Sequence, residues 1–343
     1  MMKTLRMLGD KKSEVVEIAE LEPQDNLVVV KIMASAVCGS EHPIYDVPAP
    51  IPVRNGGGGH EGAGIVWKVD KAQYVKEGDR VTIAPMPAGC GQCLACAKGD
   101  SKHCENIPES RSDGGTHTQY MRVPESRLLA IPDFVSFDSG AMIDDCVGTP
   151  YRAINRLDVT AGETVLITGA GPIGAAAAII AKFRHATVIM VDVNDYRLEQ
   201  AKSNGADHIL NPNREDSLVR IREFSAGGVP VALECSGQAS AQKLCLDAAE
   251  ANGRVAMLGI RNETVSVNMM EHLVKKELNL IGSWASTVPE HFEIIELIRQ
   301  GLSVDGLITH RFGMDDAPAA ITTFFEGQAV KTIIQPWGEA SSN

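Results

Sequence analysis

The chain has 343 residues, which at roughly 150 residues per domain predicts two domains. Hydrophobic residues make up 44% and charged residues 22%, an ordinary globular composition that excludes a disordered, collagen-like or disulfide-dominated chain. Lys and Arg number 32 against 44 Asp and Glu, and the net charge of -12 disfavours binding to nucleic acid or to an anionic membrane surface. We therefore expect a small-molecule partner.

The first third of the chain is dominated by short β-branched runs. The segment Met1 to Glu20 scatters charges among its apolar residues and has no signal-peptide core, so we expect a cytoplasmic protein. The runs Asn26–Met33, Ala63–Val69 and Arg80–Ala84 are separated by Gly, Pro and charged turns, which predicts an irregular, barrel-like β domain.

From Glu163 onward the pattern changes to alternating strands and helices, which predicts an α/β domain with a doubly wound parallel sheet. The uncharged stretch Thr164 to Ala181 is about long enough to cross a bilayer, but its glycines and proline disfavour a membrane span. The predicted strands are Val165–Thr168, Thr187–Val191, Val231–Leu233, Arg254–Leu258, Leu278–Ile281, Leu307–Thr309 and Lys331–Ile334, and the predicted helices are Ile173–Phe183, Arg197–Asn204 and His291–Gln300.

A glycine-rich turn joins the first of these strands to its helix. Its residues are Gly169, Gly171, Pro172, Ile173 and Gly174, with Ala170 between the first two glycines. Glycines at this spacing permit a tight turn, a close approach of a pyrophosphate and close packing of the helix. The N–H groups at the start of the helix complete a dinucleotide-binding site. The alternative is a glycine-rich connection with no ligand.

An acidic residue, Asp192, ends the next strand about 20 residues later, where a carboxylate accepts hydrogen bonds from the adenosine ribose. A carboxylate there repels the 2′-phosphate of NADP, which favours NAD as the cofactor. Arg197 is a further candidate for the same region. Its alternative interpretation is a solvated arginine on a helix surface.

Four of the eight cysteines, Cys90, Cys93, Cys96 and Cys104, fall within fifteen residues. Thiolates at this spacing predict a tetrahedral structural zinc site without a water position. The alternatives are an iron–sulfur centre and a redox dithiol. Glu105 rather than Pro follows the last cysteine, which disfavours the iron–sulfur cluster. We interpret His103 as a neighbouring residue that does not bind the metal.

Three separated segments carry residues suited to a second, catalytic metal. They are Cys38-Gly39-Ser40, Gly59-His60-Glu61-Gly62 and Asp144-Asp145-Cys146. A thiolate, an imidazole and one carboxylate would hold Zn²⁺ with a position left for water or an alcohol oxygen. Each segment alone is also compatible with an ordinary core cysteine or a structural histidine.

These motifs together resemble the zinc-dependent medium-chain dehydrogenase/reductase family, which includes alcohol, sorbitol, threonine and formaldehyde dehydrogenases. The resemblance covers nearly the whole chain and includes Leu307-Ile-Thr-His310 near its end. It implies a GroES-like catalytic domain over 1–146 and 285–343 and an NAD-binding Rossmann domain over 147–284. It also implies a homodimer or homotetramer in which sheets extend across subunits, through a strand near Leu278 to Ser283.

The resemblance implies that Cys38 and His60 are zinc ligands and that Glu61 is an exchangeable fourth ligand or a residue behind the ligands. Family members with Thr-Gly-Tyr after the third ligand place the threonine four positions beyond it. Thr149 is four positions beyond Asp145, which makes Asp145 the expected third ligand and Thr149 a cofactor-site residue. Asp144 and Cys146 remain the alternatives for the third ligand.

The family mechanism implies that zinc lowers the pKa of a substrate hydroxyl, that Ser40 passes its proton onward, and that the carbinol carbon gives hydride to nicotinamide. In relatives a histidine five positions after the ligand cysteine often ends the relay. Here Pro43 occupies that position and His42 precedes it, so His42 is either the relay exit or a surface histidine.

The resemblance predicts two zinc ions per chain and an NAD-dependent enzyme. We expect a secondary alcohol of polyol, sugar or cyclitol type as substrate. A primary alcohol or aldehyde is the alternative within the family, and a zinc-free quinone-type reductase shares the fold. A non-catalytic dinucleotide-binding protein is the alternative of a different class.

Overall fold

The computed structural model describes residues 1–24, 27–49, 58–86, 89–107, 112, 114–261 and 263–338. The chain divides into two compact units, each formed from more than one segment. The first comprises Met1–Gly148, Ser286–Gly301 and Ile308–Asn343, and the second comprises Thr149–Ala285 and Leu302–Leu307.

Fifteen strands lie in the described part of the chain. They are β1 Met2–Gly9, β2 Lys12–Ile18, β3 Leu27–Ala36, β4 Glu61–Lys68, β5 Arg80–Ile83, β6 Tyr120–Pro124, β7 Leu128–Ala130, β8 Thr164–Thr168, β9 Thr187–Val191, β10 His208–Leu210, β11 Val229–Glu234, β12 Ala249–Met257, β13 Asn279–Gly282, β14 Ile308–Gly313 and β15 Lys331–Gln335.

Ten α-helices lie in the same part of the chain, together with π-helical turns at Ile143–Val147 and Met269–Val274. The helices are α1 His42–Asp46, α2 Leu94–Ala97, α3 Phe137–Met142, α4 Gly148–Arg156, α5 Pro172–Phe183, α6 Asp195–Ser203, α7 Ser217–Phe224, α8 Ala239–Ala248, α9 Val288–Arg299 and α10 Ala317–Phe325. Short 3-10 turns are Gly39–Glu41, Ser101–His103, Glu125–Arg127, Asp305–Leu307 and Met314–Asp316.

The first unit is built on a seven-stranded sheet in the order β14-β15-β3-β4-β5-β7, with β6 also paired to β3. Neighbouring strands are antiparallel except for the parallel pair β14 and β15. Alternate side chains of β3, including Val28, Val30 and Ile32, are buried in one apolar core. This is the β-rich domain that the first third of the sequence predicts.

A hairpin of β1 and β2 precedes this sheet, in a segment for which the sequence predicted no strand. Its turn residues Asp10 and Lys11 both have positive φ, at 48° and 58°. Such a turn matches the twist of paired strands, although it is more often built from Asn-Gly or Asp-Gly. The hairpin was therefore not recognisable from its turn chemistry.

The second unit contains a six-stranded parallel sheet in the order β10-β9-β8-β11-β12-β13. The chain winds outward in both directions from β8 and β11, so the strand order reverses between these two strands. In doubly wound sheets the ligand crevice lies at the carboxyl ends of the strands at this point. The predicted α/β class is confirmed.

The two units differ from the predicted domain limits by one or two residues, at 147–148 and at Ala285, and by one longer segment within 285–343. Leu302–Leu307 belongs to the second unit. The reason is local: Leu302, Val304 and Leu307 are buried, and the Asn204 side chain donates a 2.9 Å hydrogen bond to the Gly306 carbonyl.

The uncharged stretch Thr164 to Ala181 forms β8 and most of α5. Among the helices that the structure describes, none is long and apolar enough to cross a membrane.

Candidate active site

Four side chains from three separate parts of the first unit converge on one point. Cys38 follows β3, His60 precedes β4, Glu61 is the first residue of β4, and Asp145 lies on the π-helical turn. Their potential metal-binding atoms all lie within 4.8 Å of one another. Because β3 and β4 are paired and Ala36 lies opposite Glu61, the sheet register itself brings the cysteine and histidine segments together.

The distances within this cluster are short. His60 Nε2 lies 2.8 Å from Asp145 Oδ2, and Cys38 Sγ lies 3.6 Å from the same oxygen. The side chains of His60 and Asp145 are 28% and 19% exposed, so one side of the cluster remains open to solvent. The exposed Ser40 has its hydroxyl 3.4 Å from Cys38 Sγ.

The π-helical turn directs its acidic residues to different partners. Asp145 points its carboxylate into the cluster, whereas Asp144 Oδ1 lies 2.9 Å from His291 Nδ1 in a buried pair. Cys146 is fully buried and its sulfur is not among the clustered atoms. Turns of this kind are rare and often occur at functional sites.

Glu61 is held by a residue that sequence reasoning did not identify. Lys331 on β15 is fully buried, and its Nζ donates a 2.6 Å hydrogen bond to Glu61 Oε1. Burial raises the pKa of Glu61 to about 7, against the opposing effect of the lysine charge. The second carboxylate oxygen, Oε2, is buried without a hydrogen-bond partner among the described residues.

His60 is flanked by a second carboxylate behind the cluster. Glu41 Oε1 lies 3.4 Å from His60 Nδ1, and Glu41 is 4% exposed. Histidines that bind metals commonly direct their second nitrogen to such a carboxylate. Burial alone would raise the pKa of Glu41, but the charge and hydrogen bond of His117, followed by the contacts with His60, lower it to about 2.

The electrostatics of the cluster favour a cation. Burial, followed by the negative charges of Asp145 and Glu61, raises the pKa of the Cys38 thiol. Burial opposes charge on His60, yet its hydrogen bonds to Asp145 and Cys38 raise its pKa well above the usual value. Metal binding replaces such protons, because a cation stabilises thiolate, carboxylate and neutral imidazole together.

The four cysteines form a separate cluster in the lobe around α2. The sulfurs of Cys90, Cys93, Cys96 and Cys104 all lie within 4.8 Å of one another. Cys93 Sγ is 3.5 Å from Cys96 Sγ and 3.8 Å from Cys104 Sγ, close to the sulfur separations of a tetrahedral zinc–thiolate site. These distances fit the predicted structural zinc.

Backbone amides favour ionised sulfur in this lobe. The amides of Cys90 and Asn106 each lie 3.3 Å from Cys104 Sγ. A backbone hydrogen bond at Cys96 lowers the pKa of Cys93 to about 6, while burial raises that of Cys96 to about 11. His103 instead lies 3.1 Å from the Asp100 carboxylate and is not part of the cluster.

Each glycine of the turn after β8 has a distinct reason to be glycine. Gly169 has a φ of +93°, and a Cβ there would lie 2.9 Å from the Ser236 side chain. A Cβ at Gly174 would lie 1.8 Å from the Gly169 carbonyl oxygen. A Cβ at Gly171 would meet only Arg197 Nη1, at 3.8 Å, so its backbone borders open space suitable for a phosphate.

The helix after this turn begins as predicted. Pro172 and Ile173 open α5, with Gly171 as the N-cap residue. Proline suits the first turn because its missing N–H would have no intrahelical partner. Thr149 is buried at the beginning of α4.

Asp192 follows β9 at the carboxyl edge of the parallel sheet. Its Oδ2 accepts a 2.5 Å hydrogen bond from the Ala170 amide, and its Oδ1 accepts one of 2.8 Å from Asn194. The carboxylate therefore fixes the glycine-rich turn. Arg197 is half-buried rather than solvated, and burial lowers its pKa while the charge of Asp192 opposes this shift.

Sequence reasoning missed the residues that contact the candidate ligands Cys38, His60, Glu61 and Asp145 or their chain neighbours. Glu41 lies three positions after Cys38, which was the available signal, whereas His117, His291 and Lys331 lie in segments without a motif. His42 is exposed and packs edge-on against Phe325 with ring centroids 5.0 Å apart.

Comparisons with known proteins identify both units. The alcohol dehydrogenase GroES-like domain model matches residues 24–133, and the zinc-binding dehydrogenase model matches residues 172–300. An uncharacterized zinc-type alcohol dehydrogenase-like protein, YphC of Escherichia coli (strain K12), is 34% identical over 346 residues, covering 95% of this chain and 96% of that protein.

Relatives with named substrates or bound cofactors extend the comparison. L-threonine 3-dehydrogenase of Marinomonas sp. (strain MWYL1) is 32% identical, with 97% of this chain and 99% of that protein covered. The solved structure of an alcohol dehydrogenase (rspB) from E. coli CFT073, complexed with NADH, has a TM-score of 0.82 and 26% identity, covering 97% of this chain and 99% of that chain.

Proposed function

Because the chain belongs to the zinc-dependent medium-chain dehydrogenase family, we propose that it transfers hydride between NAD(H) and a secondary alcohol or its ketone. The observation that carries the proposal is that Cys38, His60 and Asp145 converge in one cluster that is partly exposed to solvent. Such a set leaves a coordination position for substrate, as catalysis requires and a closed structural site does not allow.

Cys38, His60 and Asp145 would hold the catalytic zinc, with Glu61 as an exchangeable fourth ligand. The buried, unpaired Oε2 of Glu61 fits that role, since Lys331 engages only the other oxygen among the described contacts. The donor set of one sulfur, one imidazole and two carboxylates suits Zn²⁺. Bound here, the ion would act as a Lewis acid that lowers the pKa of a substrate hydroxyl.

Side chains around the cluster would transfer the proton, orient His60 and balance the charge of Glu61. Ser40 is exposed next to Cys38 and would accept the proton of the substrate hydroxyl and pass it toward solvent. Glu41 would keep the imidazole of His60 in the metal-binding orientation. Lys331 balances the charge of Glu61, which is buried with it.

The four-cysteine lobe would bind a second zinc with a structural role, giving two zinc ions per chain. Its sulfurs approach one another to within bonding range of a single ion, and its backbone amides donate toward them. A closed set of four thiolates leaves no position for substrate.

We assign NAD as the cofactor because a carboxylate, Asp192, closes the glycine-rich turn at the place where the adenosine ribose binds in this fold. A 2′-phosphate would meet this negative charge directly. Arg197 and Thr149 complete the proposed cofactor-binding set with the turn residues. The NADH bound to the solved E. coli relative is consistent with this assignment.

The proposed substrate is a secondary alcohol of polyol, sugar or cyclitol type. The hydroxyl group of L-threonine, the substrate named for the Marinomonas relative, is itself a secondary alcohol. Tyr45, which lies close in sequence to Cys38 and Ser40, is 5% exposed and packs against Phe325 in the core. A primary alcohol remains the second candidate within the same reaction class.

A panel of alcohols and polyols, each followed by NADH absorbance with NAD and with NADP, tests the proposal. We expect turnover with secondary alcohols, preference for NAD and about two zinc ions per chain by elemental analysis. Ser40→Ala should lower turnover strongly while zinc content stays unchanged. NAD binding without turnover of any alcohol or ketone in the panel, or a chain with only the lobe zinc, would favour a non-catalytic dinucleotide-binding protein.

We also propose that the protein is a homo-oligomer assembled through β13. This strand is the last in the parallel sheet, and its Leu280 is 37% exposed. The outer edge of a terminal strand offers unpaired N–H and C=O groups to a second copy. Pairing of two such edges would extend the sheet across subunits.

A further inference from the structure

One buried histidine near the cluster has no part in the function proposed so far. His117 lies three residues before β6, its carbonyl accepts a hydrogen bond from the Leu5 amide, and it is completely inaccessible to solvent. Its Nε2 lies 3.0 Å from Glu41 Oε2 and its Nδ1 lies 2.8 Å from the Ser35 hydroxyl. A carboxylate oxygen accepts, so the Nε2–H of His117 donates to Glu41. With both ring nitrogens bonded, the imidazole has a single orientation.

These contacts belong to a series of side-chain contacts that runs from the proposed ligand His60 to the backbone of the next residue, Glu61. The other oxygen of Glu41, Oε1, lies 3.4 Å from His60 Nδ1, an ion-pair contact rather than a hydrogen bond. On the far side of His117, the Ser35 hydroxyl oxygen also lies 2.7 Å from Thr116 Oγ1. Thr116 in turn donates to the Glu61 carbonyl at 3.2 Å. This series of contacts therefore links the His60 side chain to the main chain of the next residue.

The backbone of the ligand segment is pressed against the same two side chains. A Cβ at Gly59 would lie 2.7 Å from His117 Nδ1 and 2.5 Å from Thr116 Oγ1. A Cβ at Gly62 would lie 2.6 Å from Thr116 Cγ2. The His117 amide also donates to the Gly58 carbonyl at 2.8 Å. The two glycines that flank His60-Glu61 are thus required by the packing of Thr116 and His117.

We propose that His117 is a positioning residue that, by fixing Glu41, holds the imidazole of His60 in the orientation that binds the metal. An apolar side chain at this position would leave Glu41 Oε2 buried without its donor and free the carboxylate to turn away from His60. Partners behind a metal-binding histidine typically change metal affinity by about 10- to 100-fold when they are removed. The inference rests on the proposed role of His60 as a zinc ligand.

Paired substitutions separate positioning from simple filling of the core. Gln places its amide nitrogen near the Nε2 position of histidine, so His117→Gln keeps a donor to Glu41. His117→Asn reaches only the Nδ1 side and loses that donor, and His117→Phe keeps the ring volume without any hydrogen bond. The matched control is His310→Gln, because His310 is half-buried in the same unit and its ring nitrogen contacts its neighbour Thr309.

The measurements are zinc release to a chelator from the zinc-loaded protein and the visible spectrum after Co²⁺ replacement, with far-UV circular dichroism to verify folding. We expect His117→Asn and His117→Phe to release the catalytic metal about 10- to 100-fold faster and to alter the Co²⁺ spectrum. His117→Gln should remain close to wild type, as should His310→Gln. The four-cysteine metal of the same chain should be retained by all variants and serves as the internal reference.

Two results would overturn the inference. Equal retention of the catalytic metal by wild type, His117→Asn and His117→Phe would show that His60 needs no help from His117. Equal loss in His117→Gln and His117→Asn would show that His117 acts by filling space rather than by donating to Glu41. If wild type itself holds metal only in the four-cysteine lobe, the proposed function fails first, and this inference fails with it.

Discussion

The buried ion pair between Lys331 and Glu61 provides a demanding test of the site. Its charged atoms are 2.6 Å apart and both side chains are almost fully buried. At an effective dielectric constant of about 20, opposite charges at this distance attract by about 6 kcal/mol, which offsets a comparable desolvation cost. Above pH 7, where folded Glu61 is ionised, Lys331→Met removes the attraction and leaves Glu61 with its desolvation cost, so we expect the free energy of unfolding to fall by about 3–5 kcal/mol.

Replacing both partners with apolar residues of similar volume should recover most of this loss, because such a replacement of a buried ion pair is often no less stable. The double variant Lys331→Met/Glu61→Met is therefore the key comparison. Lys68→Met is the matched control, since its ion pair with Glu22 is nearly as short at 2.7 Å but solvent-exposed. An exposed pair is worth about 0–1 kcal/mol.

Urea unfolding of chelator-treated protein measures these differences without a contribution from bound metal. Trp67 and Trp337 lie in the first unit and Trp284 lies in the second, so a Trp284→Phe background makes tryptophan fluorescence report the unfolding of the first unit. A loss below about 1 kcal/mol for Lys331→Met would refute the reasoning. A double variant no more stable than Lys331→Met would refute it equally.

The loss of stability caused by Lys331→Met should also depend on pH. Burial already raises the pKa of folded Glu61 to about 7, and removal of the lysine charge raises it further. An acid with a raised folded pKa binds more protons when folded, so stability falls as pH rises from the unfolded pKa through the folded one. We therefore expect a larger deficit at pH 8 than at pH 6, by up to about 1.4 kcal/mol per pH unit. The opposite slope would show that Glu61 is not the group that titrates.

Three further predictions concern the cofactor, the lobe and the assembly. Asp192→Asn keeps an acceptor for the Ala170 amide but removes the charge, so NAD should bind more weakly and the discrimination against NADP should shrink in fluorescence titrations. Unchanged dissociation constants for both cofactors would contradict the ribose-binding role. Cys93→Ser should reduce the zinc content from about two ions per chain to about one by elemental analysis, and an unchanged content would contradict the four-thiolate site. Leu280→Lys places like charges on paired strand edges and should lower the mass seen by light scattering, whereas an unchanged mass would exclude β13 as the contact.

The sequence predicted the parallel sheet because its strands carry uninterrupted apolar runs and its helices alternate with them. It did not predict β1 and β2, whose turn residues Asp10 and Lys11 adopt positive φ without the usual glycine. The short strand β10 and helices α7 and α8 were missed as well, because they are brief and less strongly patterned. Tertiary pairing rather than local preference decides such elements.

The same distinction applies to the site. The cysteine and glycine motifs were visible because their chemistry depends on residues close together in sequence. Asp144 and Asp145 could not be separated by residue type, since consecutive residues of a helical turn point in different directions and only the fold shows which way each one faces. The choice of partner depends on His291, which reaches Asp144 from a helix more than a hundred residues away.

Several buried titratable side chains among the described residues of the first unit lie at the ligand cluster, which bears on why they are there. Three buried pairs, Lys331 with Glu61, His117 with Glu41 and His291 with Asp144, surround the cluster that contains Cys38, His60 and Asp145. Each pair pays a desolvation cost that well-packed apolar residues would avoid, so stability alone does not explain any of them. Each also contacts a proposed ligand or its chain neighbour. Their common effect is to hold the ligand segments in place before metal binds, so less ordering remains to oppose binding.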